Sequence, residues 1–390
     1  MKNYMNSWPH FSKEEIQKSS DILRSGKINY WTGTEGKDFE KEFSSYVGVN
    51  HSVVVDNGTS ALILAAHSLG ISKGDEVIMS PRTFVASAFS IMVLGARPVF
   101  VDIDRDTQNI DPSLIEAAIT PKTKAIMAIH LAGWPCEMNK IQEICKEYNL
   151  YLIEDCAQAH GAKYNGQSVG SFGDINGWSF CQDKIMSTAG EGGMVTTNNK
   201  DLWEKVWSFK DHGKNYDTVY NKEHPPGFRW LHENVGTNFR LTEIQSGIGR
   251  LQLRKLDSWI EKRTKLANIF NDGFKDIDGL RVALAPDHIK HAYYKYYVFI
   301  ENEKFKYGKD RDFIMNSLNE MGTPCYSGSC SEIYKEKAFD KLFPNGHQSL
   351  PVAKELSETS LMFLVHPTID EKDIHIIVDQ TVSLIKSLLK

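Results

Sequence analysis

Short apolar runs alternate with longer stretches of helical periodicity through the first half of the chain. Runs of strand character lie at residues 52–55, 76–79, 98–101, 125–129, 151–154, 177–180 and 193–196. Those before about residue 160 are separated by helical patterns, such as 60–69 and 138–148. Strand–helix alternation of this kind predicts an α/β fold, with a mainly parallel sheet covered by helices on both faces. After Gly236 the character changes. Residues 241–263 read as one long helix with Leu241, Ile244, Ile248, Leu251 and Leu253 on its apolar face. A strand at 293–300 and helices near 310–321 and 371–389 follow. The expected division is a large domain over residues 1–255 and a smaller C-terminal α+β domain over 256–390.

Chemistry enters with Lys184, which ends the run Trp178-Ser-Phe-Cys-Gln-Asp-Lys184 and precedes Ser187-Thr-Ala-Gly-Glu-Gly-Gly193. An amine offered after a strand, beside a glycine-rich turn, suits a Schiff-base nucleophile for a phosphorylated aldehyde cofactor, pyridoxal phosphate. Upstream, the apolar run ending in Glu154-Asp155 is followed by Gln158. Ligands of open α/β sheets sit beyond the carboxyl ends of strands, so Asp155 stands where an acid would hold a pyridine nitrogen protonated. The same residue also reads as a helix N-cap. Asp56-Asn57-Gly58-Thr59-Ser60 opens an apolar helical pattern closed by Gly70, and a helix start rich in small residues favours an anion such as phosphate.

Taken in this order, the motifs resemble the DegT-type sugar-nucleotide aminotransferases, which are fold-type I pyridoxal phosphate enzymes. The resemblance runs almost end to end. It includes Asn57-Gly-Thr-Ser-Ala61, Thr83-Phe-Val-Ala86, His130-Leu-Ala-Gly133, Glu154-Asp-Cys-Ala-Gln158, Ser179-Phe180, Lys184, Gly190-Glu-Gly-Gly193 and Gly236-Thr-Asn-Phe-Arg240. It implies that Lys184 and Asp155 are catalytic, with Asp155 at the pyridinium nitrogen and Lys184 joined to the cofactor, which passes through its pyridoxamine form. Gln158 is implied near the phenolic oxygen, Phe84 on a ring face, and Gly58, Thr59, Ser60 and Ser179 around the phosphate. Asn238 is implied to reach the cofactor phosphate of a neighbouring subunit, so that a homodimer shares its sites. On the residues alone, Phe84 reads equally as core, Ser179 as a strand residue whose hydroxyl caps nearby backbone, and Asn238 as a turn residue.

The implied reaction moves the amino group of L-glutamate to a keto sugar carried on a nucleoside diphosphate, with the 4-keto position first and the 3-keto position second. Lys27, Trp31 and Thr32 match a family loop near the sugar, although Trp31 equally suits a domain crevice, and His291 matches a position near the substrate. Residues 324–332 depart from the commoner family pattern, which carries a histidine there. Two alternatives are a sugar-nucleotide dehydratase and a non-catalytic regulatory member. In related 3-dehydratases histidine replaces the lysine, and here Lys184 is present.

Composition narrows the partners. The chain has 390 residues, 41% hydrophobic and 24% charged, with a formal net charge of −5 and no long basic run. Nucleic acid is therefore not an expected partner. The six cysteines fit no C-x-x-C zinc pattern and are too sparse for a disulfide scaffold, so they read as cytosolic thiols and no metal is expected. The opening residues 1–6 lack a signal-peptide core, and Arg97-Pro98 interrupts the most apolar stretch before about 20 residues accumulate, so a soluble cytoplasmic protein is expected. The polar stretch 210–234 reads as a long loop, functional or mobile, whose Tyr216, Tyr220, Phe228 and Trp230 are candidates to cover the active site or line a dimer contact.

Overall fold

The computed structural model describes residues 8–227 and 229–390. The leader reading at residues 1–6 and the role of Phe228 thus lie outside the described residues. Five strands come first: β1 (His51–Val55), β2 (Glu76–Met79), β3 (Arg97–Phe100), β4 (Thr123–Ile129) and β5 (Tyr151–Asp155). A short ribbon of β6 (Lys163–Tyr164) and β7 (Gln167–Ser168) precedes β8 (Ile175–Ser179) and β9 (Gly193–Thr197). Seven of these form one sheet in the order β1-β9-β8-β5-β4-β2-β3. From β8 to β3 all neighbours are parallel, while β9 runs antiparallel to both β8 and β1. Every strand of the sheet was expected, displaced by no more than a few residues.

Both faces of this sheet are buried, which is why its strands read as nearly continuous apolar runs. Val53, Val55, Met127 and Ile153 point to the core that holds Leu64 and Trp207. Val54, Trp178 and Met194 point to the opposite core, with Phe39, Phe43 and Phe180. The helix Gly58–Ser68 lies close against β8, because a Cβ added at Gly177 would stand only 2.7 Å from Leu62 Cδ2.

The remaining strands are β10 (Leu280–Arg281), β11 (Ile289–Lys290), β12 (Tyr296–Ile300) and β13 (Ser360–Phe363). Three of them make a second sheet, β10-β12-β13, and β11 pairs with β6. Phe270, Tyr296 and Phe363 pack on this sheet with ring centroids 4.7 and 5.1 Å from Phe270. No helix among the described residues is long and apolar enough to cross a membrane.

Three expectations change. The long helix at 241–263 is two helices, Glu243–Leu253 and Leu256–Phe274. The first packs on the helices Lys13–Ser25 and Glu35–Val47, with Gly247 and Gly249 allowing close approach, whereas the second turns to the C-terminal helix Glu371–Leu388. One straight rod cannot serve both, and the chain pivots where Lys255 N–H bonds back to Gln252 O. The strand expected from 293 begins at Tyr296, because Ala292 and Tyr294 instead donate to the carbonyls of Gly133 and Ala132. The stretch 210–234 is no open loop. It contains the helix Tyr216–Tyr220 and is pinned by bridges from Asp211 to Asn238 and from Lys214 to His232. Trp230 is 80% exposed, but Tyr216 and Tyr220 pack on Trp207.

Candidate active site

Strands β4, β5 and β8 end at one edge of the sheet, beside the first turn of the helix that follows β1. A cavity of about 590 Å³ opens there, lined by Gly58, Thr59, Ser60, Phe84, Asp155, Gln158, Ser179 and Lys184. All the residues expected at the cofactor except Asn238 therefore meet in one place.

Asp155 closes β5 and is buried. Its Oδ2 accepts the Ser87 hydroxyl at 2.7 Å, and its Oδ1 accepts Ala157 N–H at 3.1 Å. Gln158 Oε1 accepts Ala132 N–H at 2.8 Å, which fixes its amide. Phe84 is 69% exposed at the cavity, an apolar ring face left open for another flat group.

At the other end, Asn57 caps the helix by accepting Ser60 N–H at 2.9 Å, leaving the Gly58 and Thr59 N–H groups of the first turn for an anion. A Cβ at residue 58 would stand 2.5 Å from Ser179 Cβ and 2.9 Å from its Oγ, so only glycine lets the helix start and the end of β8 form this cradle. The cradle fits a phosphate, Asp155 fits a pyridine nitrogen, and Phe84 fits a ring face. The residues present thus suit pyridoxal phosphate.

Lys184 lies on the loop between β8 and β9. Phe180 N–H bonds to Gly192 O at 2.7 Å and Thr188 N–H to Phe180 O at 3.1 Å, closing the loop around it. The Trp8 indole N–H donates to Lys184 O at 2.9 Å, and Lys184 Nζ lies 5.1 Å from the centroid of Tyr294. A second cavity of about 740 Å³ shares Thr83, Phe84, Gln158, Cys181 and Lys184 with the first and continues along Asp183, Tyr294, Lys295 and Tyr297.

Several residues of the site were given no role from the sequence. His130, directly after β4, lines the first cavity with Thr83, Ser87 and Phe239. Its Nδ1 accepts Cys136 N–H at 3.0 Å, which places the ring proton on Nε2, 2.9 Å from Glu154 Oε2. Glu154 also accepts the N–H groups of Gly170, Phe172 and Gly173, each at 2.8 Å. The signal for His130 was its position at a strand end level with Asp155. That for Ser87 was its place one helical turn beyond Thr83.

The sugar-side residues do not gather with the rest: Lys27, Trp31, Thr32 and His291 line neither cavity. Lys27 and Thr32 are exposed. Trp31 donates its indole N–H to Asp211 Oδ2 at 2.6 Å and stacks on Tyr220, filling a crevice. His291 is buried, stacks on Tyr293 and accepts its N–H at 2.7 Å, and burial pushes the imidazole pKa down to about 3. Asn238 is exposed and also lines neither cavity of its own chain, its Oδ1 accepting Arg240 N–H at 3.3 Å.

A mainly parallel sheet with one antiparallel strand, covered by helices, places the chain in the α/β class of pyridoxal-phosphate-dependent aminotransferases. The chain belongs to the DegT/DnrJ/EryC1/StrS aminotransferase family, whose model matches residues 9–382. It is similar to the aminotransferase from Psychrobacter cryohalolentis, whose solved structure superposes with a TM-score of 0.93 at 49% identity, covering 97% of each chain. GDP-perosamine synthase of Escherichia coli O157:H7 is 35% identical over 370 residues, 94% of this chain and 95% of that one. The dTDP-3-amino-3,6-dideoxy-alpha-D-galactopyranose transaminase of Aneurinibacillus thermoaerophilus is 34% identical over 372 residues, 95% of this chain and 94% of the relative. The family depends on pyridoxal phosphate.

Proposed function

We propose that this protein transfers the amino group of L-glutamate to a keto sugar linked to a nucleoside diphosphate, at the 4-keto position first and the 3-keto position second. The observation that carries the reading is the meeting of Lys184, Asp155 and the Gly58–Ser179 cradle in one cavity. The named activities of the relatives, which act on GDP- and dTDP-linked amino sugars, support the sugar nucleotide.

Pyridoxal phosphate, when bound, supplies a conjugated ring that accepts electron density from a carbon losing its proton. Asp155 presents its carboxylate to the ring nitrogen, held in place by Ser87 and Ala157. Gly58, Thr59, Ser60 and Ser179 would hold the phosphate, with Gln158 toward the phenolic oxygen and Phe84 against one ring face. Lys184 Nζ takes the proton from the donor α carbon and returns one to the sugar carbon in the second half-reaction. Positioned proton transfer of this kind typically contributes about 10² to 10⁴ in rate. In a homodimer Asn238 serves the partner's phosphate site, which fits its exposure in its own chain. Mixing Lys184→Ala and Asn238→Ala protomers then restores activity, and no recovery in demonstrated heterodimers would overturn the shared site.

The deciding experiment is the visible spectrum of the purified protein loaded with pyridoxal phosphate, before and after L-glutamate is added without sugar. Conversion to the pyridoxamine form with stoichiometric 2-oxoglutarate is expected, and Lys184→Ala should fold normally yet convert nothing. A loaded wild-type protein that ignores glutamate would sink the donor assignment.

A further inference from the structure

One cation beside Lys184 has no part in the chemistry above. Lys295 Nζ lies 4.7 Å from the centroid of the Tyr294 ring, the same ring that Lys184 Nζ approaches to 5.1 Å. Both lysines line the second cavity, with Asp183 and Glu336 as the acids of its wall. Asp183 is already engaged, since its Oδ2 accepts the Tyr294 hydroxyl. Arg263, fully buried behind this group, spends its Nη1 on the carbonyls of Tyr293 and Tyr294 at 3.2 Å each. Lys295 itself forms no ion pair and its ammonium no hydrogen bond among the described residues. Three cations, Lys184, Lys295 and Arg263, therefore surround one committed carboxylate. Burial, with Arg263 and Lys184 nearby and Asp183 opposing, pushes Lys295 down to about 8. A half-buried ammonium whose nearby carboxylate is shared with two other cations is a place where an anionic ligand gains an interaction.

We propose that Lys295 receives a carboxylate of the amino donor and so selects the donor for the first half-reaction. This rests on the aminotransferase reading. Because the two ammonium groups lie by one aromatic ring and line one cavity, an anion on Lys295 shares the cavity into which Lys184 Nζ is offered. An amino acid carries its carboxylate one bond from the carbon that loses its proton, whereas the diphosphate of a sugar nucleotide is separated from its reacting carbon by the sugar ring. The geometry therefore favours the donor over the nucleotide.

The test compares loaded wild-type, Lys295→Gln and Lys295→Arg proteins in single-turnover conversion by L-glutamate. It adds calorimetric titration with glutarate, a dicarboxylate that cannot react, and with UDP, dTDP and GDP. In Lys295→Gln the glutamate concentration for half-maximal conversion should rise about tenfold or more, as for loss of one charge-assisted hydrogen bond. Its limiting rate should stay within about threefold, glutarate affinity should fall in parallel, and Lys295→Arg should restore most of both. Unchanged glutamate and glutarate responses overturn the assignment. So does a loss confined to the nucleoside diphosphates, which would give Lys295 to the sugar nucleotide. Wild-type protein that ignores glutamate fails the donor assignment of the proposed function, and the glutarate titration then still decides whether Lys295 takes a carboxylate.

Discussion

The Ser87 hydroxyl donates to Asp155 Oδ2 at 2.7 Å and lies 2.8 Å from the Thr83 hydroxyl, so a buried relay from the helix Ala86–Met92 sets the direction of the carboxylate that closes β5. Removing the hydroxyl leaves Asp155 with the Ala157 N–H alone. Ser87→Ala is expected to weaken pyridoxal phosphate binding and turnover by about tenfold or more, the worth of roughly 1.5–3 kcal/mol for one hydrogen bond to a charged group. Cofactor titration by absorbance, with kcat, checks it, and no change in either would reduce Ser87 to packing.

Gly58 offers a more selective test. In Gly58→Ala the new Cβ would meet Ser179 Cβ at 2.5 Å and Ser179 Cα at 3.1 Å, so the helix start has to move off β8. Overpacking of this kind costs about 1–3 kcal/mol. Because the damage falls on the phosphate cradle, affinity for pyridoxal phosphate should drop more than affinity for pyridoxal, which has no phosphate. Equal losses for the two would argue that the phosphate lies elsewhere.

A largely buried ion pair outside both cavities offers a stability test. Lys210 is fully buried with its Nζ 3.7 Å from Glu40 Oε1 and 3.8 Å from the centroid of Tyr30, and Glu40 also accepts Val54 N–H at 3.0 Å. Burial pushes the Glu40 carboxyl up and the Lys210 ammonium down, each opposed by the other charge. Lys210→Met leaves Glu40 without its counter-charge and should cost about 3–5 kcal/mol in urea unfolding. Adding Glu40→Gln should recover part of that. A cost below about 1 kcal/mol would mean that water reaches the carboxylate.

Acid should weaken the fold before the carboxylates titrate. Burial holds His160 and His291 down to about 3, so both are neutral in the folded protein at pH values where the unfolded chain, near 6.5, takes up protons. Their contribution is whole above about pH 6.5 and is lost as pH falls toward 3, at about 1.4 kcal/mol per pH unit for each histidine. Unfolding free energies at pH 7.5, 6 and 5 should decline accordingly, with a shallower slope in His291→Gln. A flat profile over that window would show that neither histidine is excluded from protonation.

Much of the site could be read along the chain because its parts are local. Asp155 and Lys184 each follow an apolar run, Asn57 to Ser60 open a helix, and a strand end is where an α/β sheet puts its ligands. His130 stood in a recognised motif but was given no role, and Ser87 was passed over, because their partners lie far along the chain. Their importance lies in Glu154 and Asp155, more than twenty residues away in one case and more than sixty in the other. Of the two readings open for Trp31, the crevice one matches its indole bond to Asp211, 180 positions along the chain, which no local pattern reveals.

Hydrophobic periodicity determined the strands, most helices and the burial of both sheet faces, since it records which side of each segment avoids water. It carries no information on the partner that covers that side. Only tertiary packing made β9 antiparallel to both neighbours, broke the helix between Leu253 and Leu256, and brought Lys295 to the same ring as Lys184. Those outcomes depend on contacts between residues distant in sequence, where close packing and the pairing of buried charge, rather than local preference, select one arrangement.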